Sequence, residues 1–155
     1  MIRLSRKVVK RTMTSILTCM LMWPLLGATE VFNLPNGHEL HVNALTTNMV
    51  PAEVARRHQI KRSTSMGMLN VALLKQGKPG ELAQPVPAEL HIEARNLVGT
   101  HRAVEIRTIQ EQDAIYYLVL NRIRHLETLR YSIQVKANDM PEPVTVRFDQ
   151  EYFVD

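Results

Sequence analysis

Four closely spaced basic side chains form the best candidate binding site in the sequence. They surround the end of a short predicted helix and are Arg56, Arg57, Lys61 and Arg62. Guanidinium groups pair well with phosphate and carboxylate, so this cluster indicates contact with an anionic partner or a lipid headgroup. A purely structural role stays open, because each cation at the C-terminal end of a helix stabilises the helix dipole by about 0.3–1 kcal/mol.

Six histidines raise the question of a metal site. His38 and His41 are three positions apart, which places them on opposite faces of a strand. The remaining histidines lie in separate segments, without the carboxylate pattern that usually orients a ligand histidine. The sequence therefore predicts polar histidines on the surface, and neither a metal nor another cofactor.

The sequence contains no arrangement of residues that is typical of a catalytic site. The one cysteine, Cys19, lies in an N-terminal apolar run, and the serine-rich spot at residues 63–65 has no evident base beside it. Glu89 and Glu93 share the outward face of a predicted strand with other polar groups, which indicates a solvated surface rather than acid–base chemistry. We therefore predict a protein that is not an enzyme.

The formal charge of +4 comes from the N-terminus. Residues 1–11 hold five of the 19 basic residues, and all 15 acidic residues lie at Glu30 or beyond. The remaining 14 basic residues are thus slightly outnumbered by acidic ones. The electrostatic signature of a nucleic-acid binder is absent from residues 30–155, and we expect no nucleic-acid partner.

The first 29 residues have the layout of a secretory signal peptide. The basic residues are followed by an apolar run at residues 13–26 and by small residues from Gly27. Because about 20 apolar residues are needed to span a bilayer, cleavage after Ala28 or Thr29 is favoured over an uncleaved membrane anchor. The mature chain, residues 30–155, would then lack cysteine and would form one domain held by its core, which suits the periplasm of a Gram-negative bacterium.

The longest apolar stretch outside the leader, residues 114–120, predicts a central β-strand. Side chains alternate across a strand, so both faces of this strand are apolar and both need cover. One face carries Ile115, Tyr117 and Val119, and the other carries Tyr116, Leu118 and Leu120. We expect the short helix at residues 51–58 to cover the second face, with a partner or dimer surface as the alternative.

Six further strands are predicted around this one, from apolar residues on both faces in residues 66–75 and from apolar residues at alternate positions in the others. The seven predicted strands span residues 38–46, 66–75, 88–97, 102–109, 114–120, 128–136 and 144–152, and residues 31–37 read as a lead-in with a turn. Strands at this spacing, with one helical insert, favour an all-β fold: an antiparallel immunoglobulin-like sandwich of about seven strands. A small closed barrel is the alternative.

Several short phrases occur together in an order that is typical of one family. They are PAEVAR from Pro51, IKRS from Ile60, LNV from Leu69, ARNLVG from Ala94, IQEQDAIYY from Ile109 and ETLRY from Glu127. In this combination residues 38–154 resemble a small family of Gram-negative periplasmic proteins known only as a domain of unknown function. The resemblance implies a signal peptide and a β-sandwich core, and it implies no activity, ligand or catalytic residue.

These observations lead to an expected function in the cell envelope. We expect an exported, non-enzymatic periplasmic β-sandwich that acts as an envelope accessory or protein-interaction module. Its partner would be an unknown envelope protein, and it would meet the membrane only through an uncleaved leader. The alternative is a small-ligand binder or an unrecognised hydrolase, with a pocket between the short helix and the sheet near Arg56, Arg62 and Asn70.

Overall fold

The structure of the protein, a computed structural model, describes residues 28–154. The expected signal peptide and Cys19 lie outside these residues, apart from the last two positions of the leader. In chain order the strands are β1 (Ala28–Leu34), β2 (His38–Thr46), β3 (Met66–Lys75), β4 (Gln84–Pro85), β5 (Glu89–Asn96), β6 (His101–Arg102), β7 (Val104–Glu111), β8 (Ala114–Arg122), β9 (Glu127–Lys136) and β10 (Val144–Tyr152). One helix, α1 (Ala52–Arg57), lies between β2 and β3. No helix within residues 28–154 has the length and apolar character needed to cross a membrane.

The strands form two antiparallel sheets that pack face to face. The first sheet has the order β1-β2-β3-β8-β7, with β4 added on β3, and the second has the order β10-β9-β5-β6. This confirms the predicted antiparallel sandwich with one short helical insert. The predicted central strand is β8, which pairs with β3 on one side and with β7 on the other.

Two details of the strand prediction were wrong. The expected lead-in is part of a strand, since β1 pairs with β2 from Ala28↔Ala44 to Leu34↔His38. The turn between them has Asn36 and Gly37 at positive φ, which lets the chain reverse within three residues. The expected strand at residues 102–109 is divided, because the chain leaves the second sheet after β6 and enters the first at β7.

The main core lies between the two sheets. The inward side chains of β9 show the predicted alternation: Leu129, Tyr131, Ile133 and Val135 are fully buried. Burying each of these apolar side chains contributes about 1.5–3 kcal/mol relative to exposure. The ring of Tyr131 packs against that of Phe148, with ring centroids 6.4 Å apart.

A second, smaller core lies on the outer face of the first sheet. Met68 of β3 is covered by Val50, Ala55 and Ile60 from the segment around α1. On the predicted second face of β8 this cover includes Leu118 and Leu120, whereas Tyr116 is half-buried. The expectation that the helix covers this face is confirmed. A six-residue helix is too short to persist alone, so its stability depends on this docking.

Candidate functional site

One end of the sandwich carries a group of exposed apolar side chains, which we call the apolar rim. Its members come from the β5–β6 turn, the loop before β9 and the chain after β10, and they are Leu97, Val98, Leu126 and Phe153. The strand registers Asn96↔Leu129 and Tyr152↔Glu127 bring these segments to the same end of the second sheet. These four are half of the eight large hydrophobic residues that are exposed in the described part of the chain.

Beside the rim lies a cleft of about 850 Å³, which we call the end cleft. Its walls come from the segment before β3, the passage from β6 to β7 and the loop after β8. Basic and acidic side chains both line it. They are Lys61, Arg102, Arg122 and Arg124 on the basic side and Glu105 and Glu127 on the acidic side.

The acidic side chains of the end cleft are already engaged. Arg102 binds Glu127 through Nε at 3.0 Å and through Nη2, and both side chains are largely buried. Glu127 also accepts a hydrogen bond from the backbone N–H of Arg124 at 3.1 Å. Glu105 accepts a hydrogen bond from Arg107 Nε at 2.7 Å.

The remaining basic side chains give the cleft a net positive charge. Within residues 28–154, no acidic side chain forms an ion pair with Lys61, Arg122 or the guanidinium of Arg124. Three cations at the mouth of a concave surface attract acidic groups of a ligand or partner.

A buried hydrogen-bond network supports the floor of the end cleft. Asn121, only 2% exposed, accepts a hydrogen bond from the Tyr131 hydroxyl at 2.9 Å and donates to the carbonyl of Arg122 at 3.2 Å. The hydroxyls of Tyr131 and Tyr152 are 2.9 Å apart, so Tyr152 donates to Tyr131. Burial raises the pKa of Tyr152 to about 12 and raises the pKa of Tyr131 well above its ordinary value. The network thus keeps neutral phenols under the cleft and fixes the backbone that carries Arg122.

The four basic residues that the sequence grouped together have different surroundings in the structure. Arg57 pairs with Glu53 at 3.3 Å, one helical turn away, as a stabilising contact within α1 would. Arg62 donates to the carbonyl of Asn48 at 2.6 Å, and Arg56 is exposed on the helix. Of the four, Lys61 alone lines the end cleft.

The sequence patterns did not predict a role for Arg122 and Arg124, the residues that join Lys61 in the cleft. Arg122 is the last residue of β8 and Arg124 lies in the loop that follows, and the other segments that line the cleft are distant in the chain. A usable signal was present, however. Two arginines lie at and just beyond the end of the central strand, at alternate positions around an apolar residue, and strand ends place such side chains at the end of a sandwich.

A smaller pocket of about 170 Å³ lies between α1 and the outer face of the first sheet. Its walls are mostly apolar and include Val50, Val54, Ile60, Met68, Ile109 and Leu118. The pocket that the alternative functional hypothesis requires is therefore present. Asn70 lines it as expected, whereas Arg56 and Arg62 do not.

Four polar side chains also line this helix–sheet pocket. The side-chain oxygen of Asn70 is buried and accepts no hydrogen bond from the described residues. His58 Nε2 lies 3.8 Å from the carboxylate of Glu111. Burial, with the negative charge of Glu111 as a second cause, raises the pKa of Tyr116.

The expectation of surface histidines was wrong for His38, whose side chain is fully buried. Its Nδ1 donates to the carbonyl of Pro35 at 2.8 Å, since a carbonyl can only accept. Its Nε2 lies 3.1 Å from Asp139, which also pairs with Lys75. Within residues 28–154, no group of three or more histidine, cysteine, aspartate or glutamate side chains is placed to hold a metal ion.

Comparison with solved structures supports the fold and identifies a relative. A DUF4426 family protein from Pseudomonas aeruginosa PAO1 is 30% identical in sequence, with a TM-score of 0.68, over 82% of this chain and 96% of that chain. FetP from uropathogenic Escherichia coli strain F11, recombinantly expressed in the periplasm of E. coli, is 11% identical with a TM-score of 0.59, over 83% and 95% of the two chains. A copper-bound variant of FetP is 12% identical with a TM-score of 0.56, over 83% and 92%. At these identities the likeness to FetP shows the fold alone.

Comparison with curated proteins finds no match. A family model described as a domain of unknown function, DUF4426, matches residues 35–155, which confirms the resemblance seen in the sequence. This match covers most of the chain and agrees with the relative from P. aeruginosa. The chain therefore belongs to the DUF4426 family.

Proposed function

We propose that this DUF4426 protein is a non-enzymatic binding module of the bacterial envelope. It uses the end cleft and the apolar rim together to bind a protein partner with an acidic surface. The observation that carries this proposal is the juxtaposition of three cations lacking an acidic partner within the described chain with four exposed apolar side chains.

The composition of this end of the sandwich favours a protein partner. Protein interfaces are enriched in arginine and large apolar or aromatic residues, and the few residues that dominate affinity are of these types. Arg122 and Arg124 supply the first kind and Phe153 the second. Large exposed apolar patches on a monomer commonly mark a binding site.

The end cleft and the apolar rim are also held rigid before any partner binds, which reduces the entropic cost of binding. The Arg102–Glu127 ion pair joins β6 to β9, and the backbone N–H of Val154 donates to His125 Nδ1 at 3.1 Å. These contacts hold the segments that carry Val98, Leu126 and Phe153.

The envelope location rests on the signal-peptide layout of residues 1–29. The fold shared with FetP, which was expressed in the periplasm, is consistent with it. Export would place the end cleft and the apolar rim among other envelope proteins. The cleft would attract acidic groups of these proteins over a distance of about 10 Å at moderate ionic strength.

Site-specific photocrosslinking in living cells tests the proposal. A photoreactive amino acid replaces Val98 in the full chain, and in a control it replaces Leu82, which is equally exposed at 84% but lies beyond β3 at the opposite end of the sandwich. We expect a discrete crosslinked protein at position 98 and none at position 82. Replacing Lys61, Arg122 and Arg124 by glutamate should abolish it. Equal products at both positions, or no product at position 98, would contradict the proposal.

A further inference from the structure

We propose that β5 binds an extended segment of another polypeptide as an added antiparallel strand. The segment pairs with Glu89–Glu93 on the side of β5 that faces away from β9, which we call the free edge. None of these residues lines the end cleft or the helix–sheet pocket. The proposal therefore goes beyond the partner binding proposed above.

The second sheet is narrower than the first along the free edge. Beyond β5 it contains only β6, a strand of two residues that pairs with Ala94 and Arg95. The described part of the chain places no strand beside Glu89–Glu93 on this side, while β9 pairs with the other side. The first sheet, in contrast, continues past its central strand to the eight residues of β7. The second sheet thus has room for one further strand.

The inner face of β7 is left uncovered where this strand would lie. Ile106 and Thr108 pair with Val119 and Tyr117 of β8, which are buried between the sheets, so their side chains face inward as well. Both are nevertheless exposed, Ile106 to 40%. Because β5 and β7 are neighbours across the sandwich, a strand added at the free edge would lie over this face.

Alternate residues of β5 direct their backbone groups to the free edge. The N–H of Asn96 donates to the carbonyl of Thr100 at 3.0 Å, which shows that Asn96 bonds on the β6 side. Ala94, two residues earlier, pairs with β6 as well. By the same alternation, Leu90 and Ile92 each present one N–H and one C=O to the free edge. Their spacing is that of a strand, so the group that matches them is another extended backbone.

The side chains around the free edge define which strand fits. Its inward residues would contact Ile106 and the half-buried Leu90, so apolar side chains are favoured there. Its outward residues would lie directly opposite Glu89 and Glu93, where a cation is favoured and a like charge is destabilising. Within residues 28–154 Glu89 forms no ion pair, whereas Glu93 pairs with Arg95 at 3.2 Å. Glu89 therefore contributes most to the preference for a basic residue.

A second copy of this chain fits the free edge poorly. The antiparallel register that pairs the whole free edge with itself places Glu89 of each copy opposite Glu93 of the other. Like charges directly opposite each other destabilise a sheet. Any other register pairs fewer residues or meets β6, which already pairs with Ala94. The added strand is thus a different sequence, with apolar and basic residues in alternation.

Titration with two short peptides, followed by NMR, tests the proposal on protein purified from the periplasm after expression of the full chain. One peptide alternates valine with lysine, and the other alternates valine with glutamate. We expect the lysine peptide to bind saturably, to slow hydrogen exchange at the amides of Leu90 and Ile92, and to bind this edge about tenfold tighter than the glutamate peptide. No saturable binding of the lysine peptide, unchanged exchange at these amides, or equal affinities would overturn the proposal.

Methylation of the peptide backbone shows whether the added strand bonds to β5. In the antiparallel arrangement the valine residues lie opposite Leu90 and Ile92, so their N–H groups face β5 and those of the lysine residues face solvent. Methylating the valine nitrogens should therefore abolish binding, and methylating the lysine nitrogens should leave it. Equal effects of the two methylations would contradict strand addition.

Two proline variants locate the binding edge on the protein. Leu90→Pro removes an N–H at the free edge and puts its ring there, so the protein should fold and lose the lysine peptide. The control His91→Pro removes an N–H that faces β9, so it should destabilise the fold, as measured by circular dichroism on heating. Peptide binding retained by folded Leu90→Pro would contradict the proposal, and the methylated peptides decide the question where this variant does not fold. Dimerisation of the natural protein with slowed exchange at Leu90 and Ile92 would assign the edge to a second copy and overturn the proposal.

Discussion

The hydroxyl of Tyr131 donates a hydrogen bond to the side chain of Asn121 across 2.9 Å and so links the second sheet to the end of the central strand. Both residues are buried, so the bond is shielded from water. Asn121 directly precedes Arg122, whose carbonyl it also binds. The position of a cation in the end cleft therefore depends on a contact inside the core.

Removing the Tyr131 hydroxyl should destabilise the protein. Tyr131→Phe leaves Asn121 Oδ1 without its donor and Tyr152 without its acceptor, for a loss of about 1–3 kcal/mol in the free energy of unfolding. Tyr152→Phe is the matched control and should cost less, because Tyr131 still donates to Asn121. Urea denaturation measures both, and an equal cost for the two variants would argue against this order of donors.

The buried phenols make the fold sensitive to high pH. In the unfolded chain a tyrosine ionises near its ordinary pKa of 10.0, whereas the folded pKa of Tyr152 is about 12 and that of Tyr131 is also raised. Below pH 10 their contribution to stability is fully present. We expect it to be lost as the pH rises from about 10 through 12, because the unfolded state ionises first.

Unfolding free energies measured across this range should fall more steeply for the natural protein than for Tyr152→Phe. Absorbance of the phenolate reports ionisation in the same samples. A flat pH dependence above 10 would be incompatible with neutral buried phenols.

Acid should weaken the contact between Asp139 and Lys75. The hydrogen bond from Lys75 lowers the pKa of Asp139 below its ordinary value of 3.8, and the charge of His38 contributes in the same direction. A lowered pKa contributes stability that is present above pH 3.8 and is lost as the pH falls through the folded value.

Asp139→Asn should remove that part of the acid dependence, whereas Asp149→Asn tests an exposed pair with Arg130 on the second sheet. Thermal unfolding between pH 2 and pH 6 gives the comparison. We expect the curve of Asp139→Asn to be the flatter of the two variants below pH 3.8, because this variant lacks the carboxyl group whose pKa the hydrogen bond from Lys75 lowers. The reverse order would contradict the assignment.

Gly67 is expected to tolerate no side chain. A Cβ at this position would lie 2.8 Å from a methyl of Ile123 and 3.0 Å from the ring of Tyr152, both of them buried. Gly67→Ala should therefore reduce the free energy of unfolding by about 1–3 kcal/mol. Combining it with Ile123→Ala, which removes the nearest methyl, should give a loss smaller than the sum of the two single losses. Strict additivity in chemical denaturation would show that the clash is absent.

The sequence predicted the sheets and the helix because their residues alternate with the periods of those elements. In β9 the pattern is unbroken, and each inward side chain is buried as expected. The strand β1 escaped detection because polar residues interrupt it and because its first two residues belong to the predicted leader. The change of sheet after Arg102 escaped because the residues alternate on both sides of Ala103, and periodicity does not say which sheet a strand joins.

The candidate sites were harder to predict, because their residues come together only in the fold. Lys61 and Arg122 are far apart in sequence. The burial of His38, in contrast, had a signal in the sequence, because alternation places His38 on the same face of β2 as Leu40, Val42 and Ala44. The helix–sheet pocket was anticipated through the apolar second face of β8. The unpartnered side-chain oxygen of Asn70 in this pocket could not be anticipated, because the donors near a side chain are known only once the chain has folded.

β7 is an edge strand of the first sheet, and this has a consequence for solubility. An outermost strand leaves backbone groups free to recruit a strand from another molecule, which is how fibrils grow. Here the strand carries Glu105 and Arg107 as an ion pair at 2.7 Å, and Arg107 is also bonded to Gln59. A strand from a second molecule would have to desolvate these charges before it could pair with β7. Arg107, which binds the carbonyl of Gln59, thus also disfavours self-association through this edge.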